Sequence, residues 1–329
     1  MRRLDRFASL DHYHDHLDPI WQALPVEARG ASWASRHGRE GATVPRPVRG
    51  REIGKEPVLV ASWPDAVSSV TRGRPLVYVE HGAGQTYGGD PTMAHAPGWS
   101  GARDATLERV QLFICPSETV AARWRERYDA PAVAVGCPKL DRHHLAAPRV
   151  PGRVVAVTFH WDCRLGPETR SAWSVYDRAL PGLAAWATRE GVQLLGHGHP
   201  RMWSRIRRRW ESLGVEPVAD LADVLERADV LVADNTSAMF EFASLDRPVV
   251  VLNAPWYRRE VEHGLRFWSH VPGRQVNEPG ELVPAVAGAL ADPAADRDLR
   301  RRAVAAAYHA CDGRAADRAA AAILEALER

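Results

Sequence analysis

The sequence predicts an α/β protein with two doubly wound parallel sheets, in domains that face each other across a cleft. Short apolar runs rich in β-branched residues alternate with helical stretches, which is typical of parallel sheets covered on both faces. A Pro-rich segment interrupts this alternation near the middle of the chain. The length of 329 residues exceeds one ordinary domain and suits two.

The first half begins with polar residues, for which we predict a helix over about 10–24 and a Gly-, Pro- and Arg-rich loop over 38–54. About four strands are expected in each half. In the first half they fall at 57–62, 75–80, 110–116 and 132–136, with a helix over 118–128. In the second half they fall at 154–159, 192–198, 229–234 and 248–253, with helices over 172–190 and 237–245.

The segment 143–152 breaks this pattern and marks the predicted domain boundary. We therefore expect an N-terminal domain over residues 1–147 and a C-terminal domain over 148–310. We predict a C-terminal helix over 311–329, and one possible arrangement is that this helix packs back on the first domain.

The composition excludes several classes of protein. Hydrophobic residues make up 45% and charged residues 26%, so a folded chain is expected. The net charge of +2, from 43 basic and 41 acidic residues, argues against nucleic acid as a partner. Four cysteines without paired spacing argue against a disulfide scaffold or zinc module. With no signal peptide and no long apolar run, we expect a cytoplasmic protein.

Ligands of such sheets bind at the carboxyl ends of the strands, so the residues after each strand are the candidates. The first set follows strand 75–80. His81 can take a proton from a hydroxyl. Gly82 and Gly84 let the backbone turn sharply beside a ligand, next to Gln85. A structural turn with a hydrogen-bonded histidine is the alternative.

The second set follows strand 192–198, where His197, His199 and Arg201 converge. We favour an anion clamp over a zinc pair, because imidazole and guanidinium groups bind phosphate oxygens and no further metal ligand follows at a recognisable spacing. One satisfied core histidine beside a surface arginine is the alternative.

The third set follows strand 229–234, where a helix should begin. Four polar residues in a row, Asp234, Asn235, Thr236 and Ser237, exceed what N-capping needs, and a helix N-terminus with free amides and hydroxyls is suited to phosphate. Within that helix Glu241 is a further candidate, whereas Met239, Phe242 and Ala243 are expected in the core. The fourth set, Asp312-Gly313 with Arg318, is typical of a turn before a final helix.

An apolar stripe surrounded by arginines follows the second set. It predicts either packing on the protein's own sheet or peripheral contact with an anionic membrane. The stripe comprises Trp203, Ile206, Trp210 and Leu213. The absence of a Walker A loop, a GxGxxG after a strand and a GxSxG elbow disfavours P-loop ATPases, plain NAD dehydrogenases and α/β-hydrolases.

Taken in order, these motifs resemble the CDP-glycerol glycerophosphotransferase family, the teichoic-acid polymerases and primases with a fold of two Rossmann-like domains (GT-B). The resemblance covers about residues 75–320. It rests on six stretches of the sequence, namely VEHG at 79–82, GCPKLD at 136–141, HP at 199–200, ADNTSAMFEFA at 233–243 with RP at 247–248, PG at 272–273, and DGRAADR at 312–318.

The resemblance implies transfer of a polyol phosphate, glycerol phosphate or similar, from a CDP-linked donor to an acceptor hydroxyl, with release of CMP. His81, in an acceptor-side domain over 1–147, would be the general base. His199, in a nucleotide-donor domain over 148–310, would contact the donor diphosphate. Thr236 and Ser237 would hold phosphate oxygens, and Asp312 and Arg318 would lie at the cleft rim. The donor is a substrate rather than a cofactor, and no obligatory metal is expected. The implied acceptor is a polymer or is lipid-linked, reached from the cytoplasm or the inner membrane face.

The sequence departs from the family after His81, where Ala83-Gly84-Gln85 stands in place of the usual Thr-Pro-x-Lys, and this leaves the acceptor open. Three alternatives remain. A GT-B glycosyltransferase would use the same strand ends with a nucleotide sugar. A non-hydrolysing nucleotide-sugar 2-epimerase would need acid/base carboxylates, for which Asp65 and Glu80 are the candidates in the first half. A non-catalytic module would bind nucleotide or polymer without turnover.

Overall fold

The computed structural model describes residues 2–34, 54–83, 108–127, 131–162, 167, 170–257 and 270–328. These residues form two compact units. The first unit takes in the described residues up to 82, those of 108–145 and those of 308–328. The second is built from Ala83 and the described residues of 146–307. The predicted loop at 38–54 lies almost wholly outside the described residues.

The first unit contains a parallel sheet of six strands, in the order β2-β1-β3-β4-β5-β6. Its strands are β1 Leu4–Ala8, β2 Arg29–Ala34, β3 Val58–Val60, β4 Leu76–Val79, β5 Val110–Cys115 and β6 Ala132–Ala134. The strand order reverses between β1 and β3. In doubly wound sheets this switch point is where ligands bind, beyond the carboxyl ends of the strands.

The second unit contains another parallel sheet of six strands, in the order β12-β11-β10-β7-β8-β9. Its strands are β7 Val154–Thr158, β8 Gln193–Gly196, β9 Glu216–Pro217, β10 Val230–Ala233, β11 Val249–Leu252 and β12 Arg274–Val276. Counted along this unit, the order is that of a Rossmann fold, and its switch point lies between β7 and β10.

Helices connect the strands of both sheets. In chain order they are α1 Asp11–Ala23, α2 Trp63–Ala66, α3 Glu118–Arg127, α4 Asp141–His144, α5 Trp173–Tyr176, α6 Leu180–Glu190, α7 Trp203–Ser212, α8 Leu221–Arg227, α9 Ala238–Ala243, α10 Leu282–Ala291, α11 Arg297–Ala307 and α12 Ala315–Glu328. Short 3₁₀ turns directly precede α4, α6, α7 and α10, at Pro138–Leu140, Asp177–Ala179, Pro200–Met202 and Pro279–Glu281. One more 3₁₀ turn lies at Val26–Ala28.

The C-terminal helix α12 packs on the first sheet. Its buried residues Ala319, Ile323 and Leu327 share one apolar cluster with Leu17 and Ile20 of α1. Burial of this small-residue face stabilises the first unit with a segment from the far end of the chain. The C-terminal helix therefore packs back on the first unit.

The predicted fold class is confirmed: the chain forms two parallel-sheet α/β domains. The eight predicted strands are all present, but each sheet has six strands rather than about four. The additional four are short or polar. In β1, for example, Asp5 is buried because Arg74 binds its carboxylate at 2.6 Å. This strand therefore lacks the apolar pattern of the adjacent β3.

The apolar stripe of α7 packs inside the protein. Ile206 and Trp210 are fully buried in the core of the second unit, whereas Arg205, Arg207 and Arg208 are exposed. Packing on the protein's own sheet therefore accounts for the stripe. None of the helices among the described residues combines the length and apolar character needed to cross a bilayer.

Candidate active site

Three loops meet at the carboxyl edge of the second sheet. They follow β7, β8 and β10, which are neighbours in the sheet, and they carry His160 and Trp161, then His197 to Arg201, and finally Asp234 to Ser237. The β7 and β10 loops flank the switch point of this Rossmann-like unit. This is the edge at which ligands of such sheets bind.

A fully buried carboxylate joins these loops. Asp234 accepts hydrogen bonds from the backbone N–H of His160 at 2.7 Å and of Ala172 at 2.9 Å. The hydroxyl of Ser171 donates a third bond to it at 3.0 Å. Charge-assisted bonds in a buried setting are strong. Asp234 therefore fixes the β7 loop against the start of the β10 loop, and it acts as a scaffold rather than as a ligand.

The two histidines after β8 have different environments. His197 is buried, and its Nδ1 lies 2.6 Å from the hydroxyl oxygen of Thr158. Its carbonyl accepts a bond from the indole N–H of Trp210 at 3.3 Å. His197 is therefore the satisfied core histidine that the sequence left as an alternative, and it connects β7, β8 and α7.

His199 is half-buried and caps the turn Pro200–Met202. Its Nδ1 accepts a hydrogen bond from the backbone N–H of Arg201 at 3.2 Å. In a neutral imidazole the other nitrogen then carries the proton. Neutral His199 thus carries its proton on Nε2, and an imidazole N–H is a group that can donate to an anionic oxygen.

Glycines beside these histidines serve packing. A Cβ at Gly196 would lie 2.2 Å from Cγ of Trp210, and a Cβ at Gly198 would lie 2.8 Å from Cδ1 of Ile206. The side chains of Trp210 and Ile206 cannot move away easily, because both are fully buried. The Gly-His-Gly-His pattern thus lets α7 approach β8 closely.

An aromatic and cationic cluster surrounds His199. The His160 ring lies 5.4 Å from the His199 ring, and the Trp161 ring lies 6.1 Å from it, measured between centroids. The guanidinium carbon of Arg201 stacks 4.4 Å from the Trp161 centroid. His160 and Trp161 are not among the sequence-predicted residues, although their position directly after an apolar strand was a signal for them.

Hydroxyls at the start of α9 form the last part of this edge. Thr236 and Ser237 are half-buried, and the Thr236 hydroxyl accepts only a long bond of 3.4 Å from the Ala238 N–H. Asn235 and Glu241 are buried, and so are Met239, Phe242 and Ala243. Burial favours a supporting role for Asn235 and Glu241, and their predicted contact with substrate stays a prediction.

The first unit positions His81 after β4. Gly82 follows with φ +83°, a conformation that favours glycine, so the chain turns at once behind the histidine. The His81 ring lies edge-on to Tyr13 at 5.1 Å and to His16 at 5.8 Å. Burial and the Lys139 ammonium hold the pKa of His16 well below its ordinary value, and His81 and His12 add smaller effects. His16, which the sequence did not indicate, is therefore neutral at pH 7.

Asp312 and Arg318 pair with each other at the start of α12. The guanidinium donates two bonds to the carboxylate, at 2.8 and 2.9 Å, and its Nε donates to the Val135 carbonyl. This pair lowers the pKa of Asp312 from 3.8 to about 2. Asp141 accepts the N–H bonds of Ala315 and Ala316 at the same helix end. Through these hydrogen bonds the residues of the motif hold the start of α12 in place. Contact of Asp312 and Arg318 with substrate stays a prediction.

Two predicted residues, Gly84 and Gln85, lie outside the described residues, as does Cys163. The described cysteines are free thiols, and burial raises the pKa of Cys311 to about 11. In the parts of the chain that the structure describes, no group of three or more His, Cys, Asp or Glu side chains is arranged to hold a metal ion.

Fold and strand-end chemistry together define the class of protein. Two parallel α/β domains, one with histidine, arginine and hydroxyl side chains at its switch point, are typical of a nucleotide-dependent enzyme of the GT-B type. Residues 182–325 match the model of the CDP-glycerol:poly(glycerophosphate) glycerophosphotransferase family. This match confirms the resemblance that the motifs indicate. No curated protein sequence matches the chain significantly.

Solved structures support the same fold. The wall teichoic acid polymerase TagF superimposes with a TM-score of 0.68 at 13% identity, covering 99% of this chain and 89% of that one. MnaA of S. aureus, solved with UDP, gives 0.64 at 14% identity, with 100% and 97% covered. A putative UDP-N-acetylglucosamine 2-epimerase from Listeria monocytogenes gives 0.61 at 16%, also with 100% and 97% covered. At these identities the structures are evidence for the fold alone.

Proposed function

We propose that the protein transfers glycerol phosphate from CDP-glycerol to an acceptor hydroxyl and releases CMP. The observation that carries the proposal is the match of residues 182–325 to the glycerophosphotransferase family. That stretch contains the loops after β8 and β10, and with them His199, Thr236 and Ser237. The likeness to the epimerases concerns the fold, and no observation favours sugar chemistry over phosphoryl transfer.

The reaction needs a base and charge neutralisation. The acceptor oxygen attacks the distal phosphorus, forming an O–P bond. The bond from that phosphorus to the bridging oxygen breaks, and the bridging oxygen leaves with its electron pair as part of CMP. The acceptor proton goes to the base, for which we propose His81, the half-buried imidazole at the end of β4.

We propose that the second unit holds the donor diphosphate. His199 donates from Nε2–H, Arg201 supplies a full positive charge, and the hydroxyls of Thr236 and Ser237 donate further bonds. Phosphoryl transfer depends chiefly on positioning and on stabilising the charge of the transferred group. Basic and hydroxyl donors can supply this, and we propose that no metal is obligatory.

The acceptor in this proposal is the hydroxyl end of a polymer or of a lipid-linked chain, reached from the cytoplasm at the inner membrane face. Because the apolar stripe of α7 is buried, any membrane contact of this helix is electrostatic and involves the exposed Arg205 and Arg208. Cosedimentation with phosphatidylglycerol vesicles, but not with phosphatidylcholine vesicles, tests this contact. The double variant R205E/R208E should lose it.

A thermal-shift panel of CMP, CDP, UDP, GDP and ADP tests the donor. A ligand that binds the native state raises the melting temperature, and cytidine nucleotides should do so most. Uridine preference would instead favour a nucleotide-sugar donor. Replacing Thr236 and Ser237 together with Ala should weaken CDP binding about tenfold, as expected for lost hydrogen bonds to a charged group. Unchanged CDP affinity would refute the phosphate assignment.

A further inference from the structure

We propose that Trp161 is a positioning residue for the donor diphosphate, because its indole holds the Arg201 guanidinium beside His199. The inference rests on the proposed function and deepens it. Trp161 lies outside every motif that carries the family resemblance, and its contacts alone indicate the role.

The position of Trp161 in the fold is that of a ligand-binding residue. It is the third residue after β7, whose neighbour β10 lies across the switch point of the sheet. The preceding residue, His160, is bonded through its N–H to the buried Asp234 at 2.7 Å. The loop that carries Trp161 is therefore fixed to the loop that carries Thr236 and Ser237.

The indole restrains a cation that would otherwise be mobile. Arg201 is exposed, and a long exposed side chain samples many rotamers. Its guanidinium carbon lies 4.4 Å from the Trp161 centroid, within the range of a cation–π contact. A guanidinium that is already held loses less entropy when it binds phosphate.

The same ring borders the second phosphate-binding candidate. The centroids of Trp161 and His199 are 6.1 Å apart, and the Arg201 N–H bonds His199 Nδ1 at 3.2 Å. His199 and Arg201 are thus connected twice, through the backbone bond and through the indole. The neighbouring Asp162 would repel an anion, but Arg170 lies 3.7 Å from its carboxylate and offsets its charge. The site as a whole suits the diphosphate of a nucleoside diphosphate.

Calorimetric titration of CDP into a double-mutant cycle tests the role. Arg201→Ala should raise the Kd about 10- to 100-fold, as for loss of a charged hydrogen bond. Trp161→Leu should raise it about 3- to 5-fold, as for loss of a cation–π contact. In the Arg201→Ala background, Trp161→Leu should have almost no further effect. Trp161→Phe retains a ring and should restore most of the affinity.

A matched control uses the other unit. Arg6 lies over Trp21 at 5.0 Å, a similar pair that is not at the strand ends of the second sheet. Trp21→Leu should leave the Kd for CDP unchanged. Inorganic pyrophosphate is the second probe. If Trp161 acts by positioning Arg201, then Trp161→Leu weakens pyrophosphate and CDP by the same factor.

Two results would overturn the inference. The first is that Trp161→Leu and Arg201→Ala raise the Kd for CDP independently, so that the double variant shows the product of the two single factors. The second is a loss of CDP affinity with unchanged pyrophosphate affinity, which would place the indole against the base. Should Trp161→Leu lower the melting temperature strongly, Trp161→Gln replaces it in the same cycle, since the site is half-exposed.

Failure of the inference differs from failure of the proposed function. If the donor is not CDP-glycerol, turnover of that compound is absent while the coupling of Trp161 to Arg201 persists in pyrophosphate binding. If the inference is wrong, turnover of CDP-glycerol persists and the coupling is absent.

Discussion

The two units both place a histidine at the carboxyl edge of a parallel sheet, but they hold it in different ways. His199 of the second unit is fixed by a hydrogen bond to Nδ1, next to a loop that the buried Asp234 fastens with three bonds. His81 of the first unit is followed by a turn at Gly82, and its ring lies against the rings of Tyr13 and His16.

The difference separates two chemical tasks. A hydrogen bond that fixes the tautomer makes His199 a steady donor to an anion. The ring of His81 lies against Tyr13 and His16, and we propose this imidazole as the group that takes up the acceptor proton. In the proposed function the same residue type therefore serves donor binding in one unit and proton transfer in the other.

The largest expected effect separates these tasks by kinetics. His81→Ala should lower kcat by about 10³-fold, within the range of general-base catalysis, and leave the Kd for CDP unchanged. His199→Ala should raise that Kd about tenfold or more. Steady-state kinetics and CDP titration measure both. Equal losses of CDP affinity in the two variants would abolish the distinction.

Close packing beneath His199 provides the second prediction. Gly196→Ala places a Cβ 2.2 Å from Trp210, so we expect the free energy of unfolding to fall by about 2 kcal/mol through overpacking. Gly182→Ala in α6 is the control, since no atom lies within 4 Å of its added Cβ. It should be neutral or stabilise the helix. Denaturant titration measures both, and similar values would contradict the packing role.

The histidine beside His81 predicts a pH dependence. The lowered pKa of His16 means that the unfolded chain takes up its proton at a higher pH than the folded one. Stability from this group is therefore present above pH 6.5 and is lost as the pH falls below it. The free energy of unfolding should therefore be lower at pH 5.5 than at pH 7.5.

The variant His16→Leu should lack this part of the pH dependence. Gly182→Ala, which changes no titratable group, should retain the wild-type slope. Denaturant titrations at the two pH values give the comparison. Identical slopes for the wild type and His16→Leu would contradict the burial of a neutral imidazole beside Lys139.

The smallest expected effect concerns the pair at α12. Asp312→Asn should cost about 0.5 kcal/mol at pH 7, because the pair is partly exposed. Since the pKa of Asp312 is lowered to about 2, this contribution is complete above pH 3.8 and is lost as the pH falls toward 2. Melting temperatures at pH 6 and pH 3 measure it. A raised KM for donor or acceptor with unchanged stability would instead support substrate contact.

Much of the fold could be predicted from the sequence because eight strands are apolar and bounded by turns. The missed strand β1 owes its burial to an ion pair between Asp5 and Arg74, which no local pattern reveals. In the site, His199 was predictable from its position after a strand. The assignment of His197 to the core was not, because it depends on Thr158 and on the packing of Trp210.

The nucleotide product tests the central claim most directly. The purified protein is incubated with CDP-glycerol and a glycerol-phosphate-primed acceptor, and the released nucleotide is identified by ³¹P NMR. Attack at the distal phosphorus predicts CMP, formed in step with growth of the acceptor and lost in His81→Ala. Release of CDP, or turnover of a uridine-linked sugar in place of CDP-glycerol, would contradict the account.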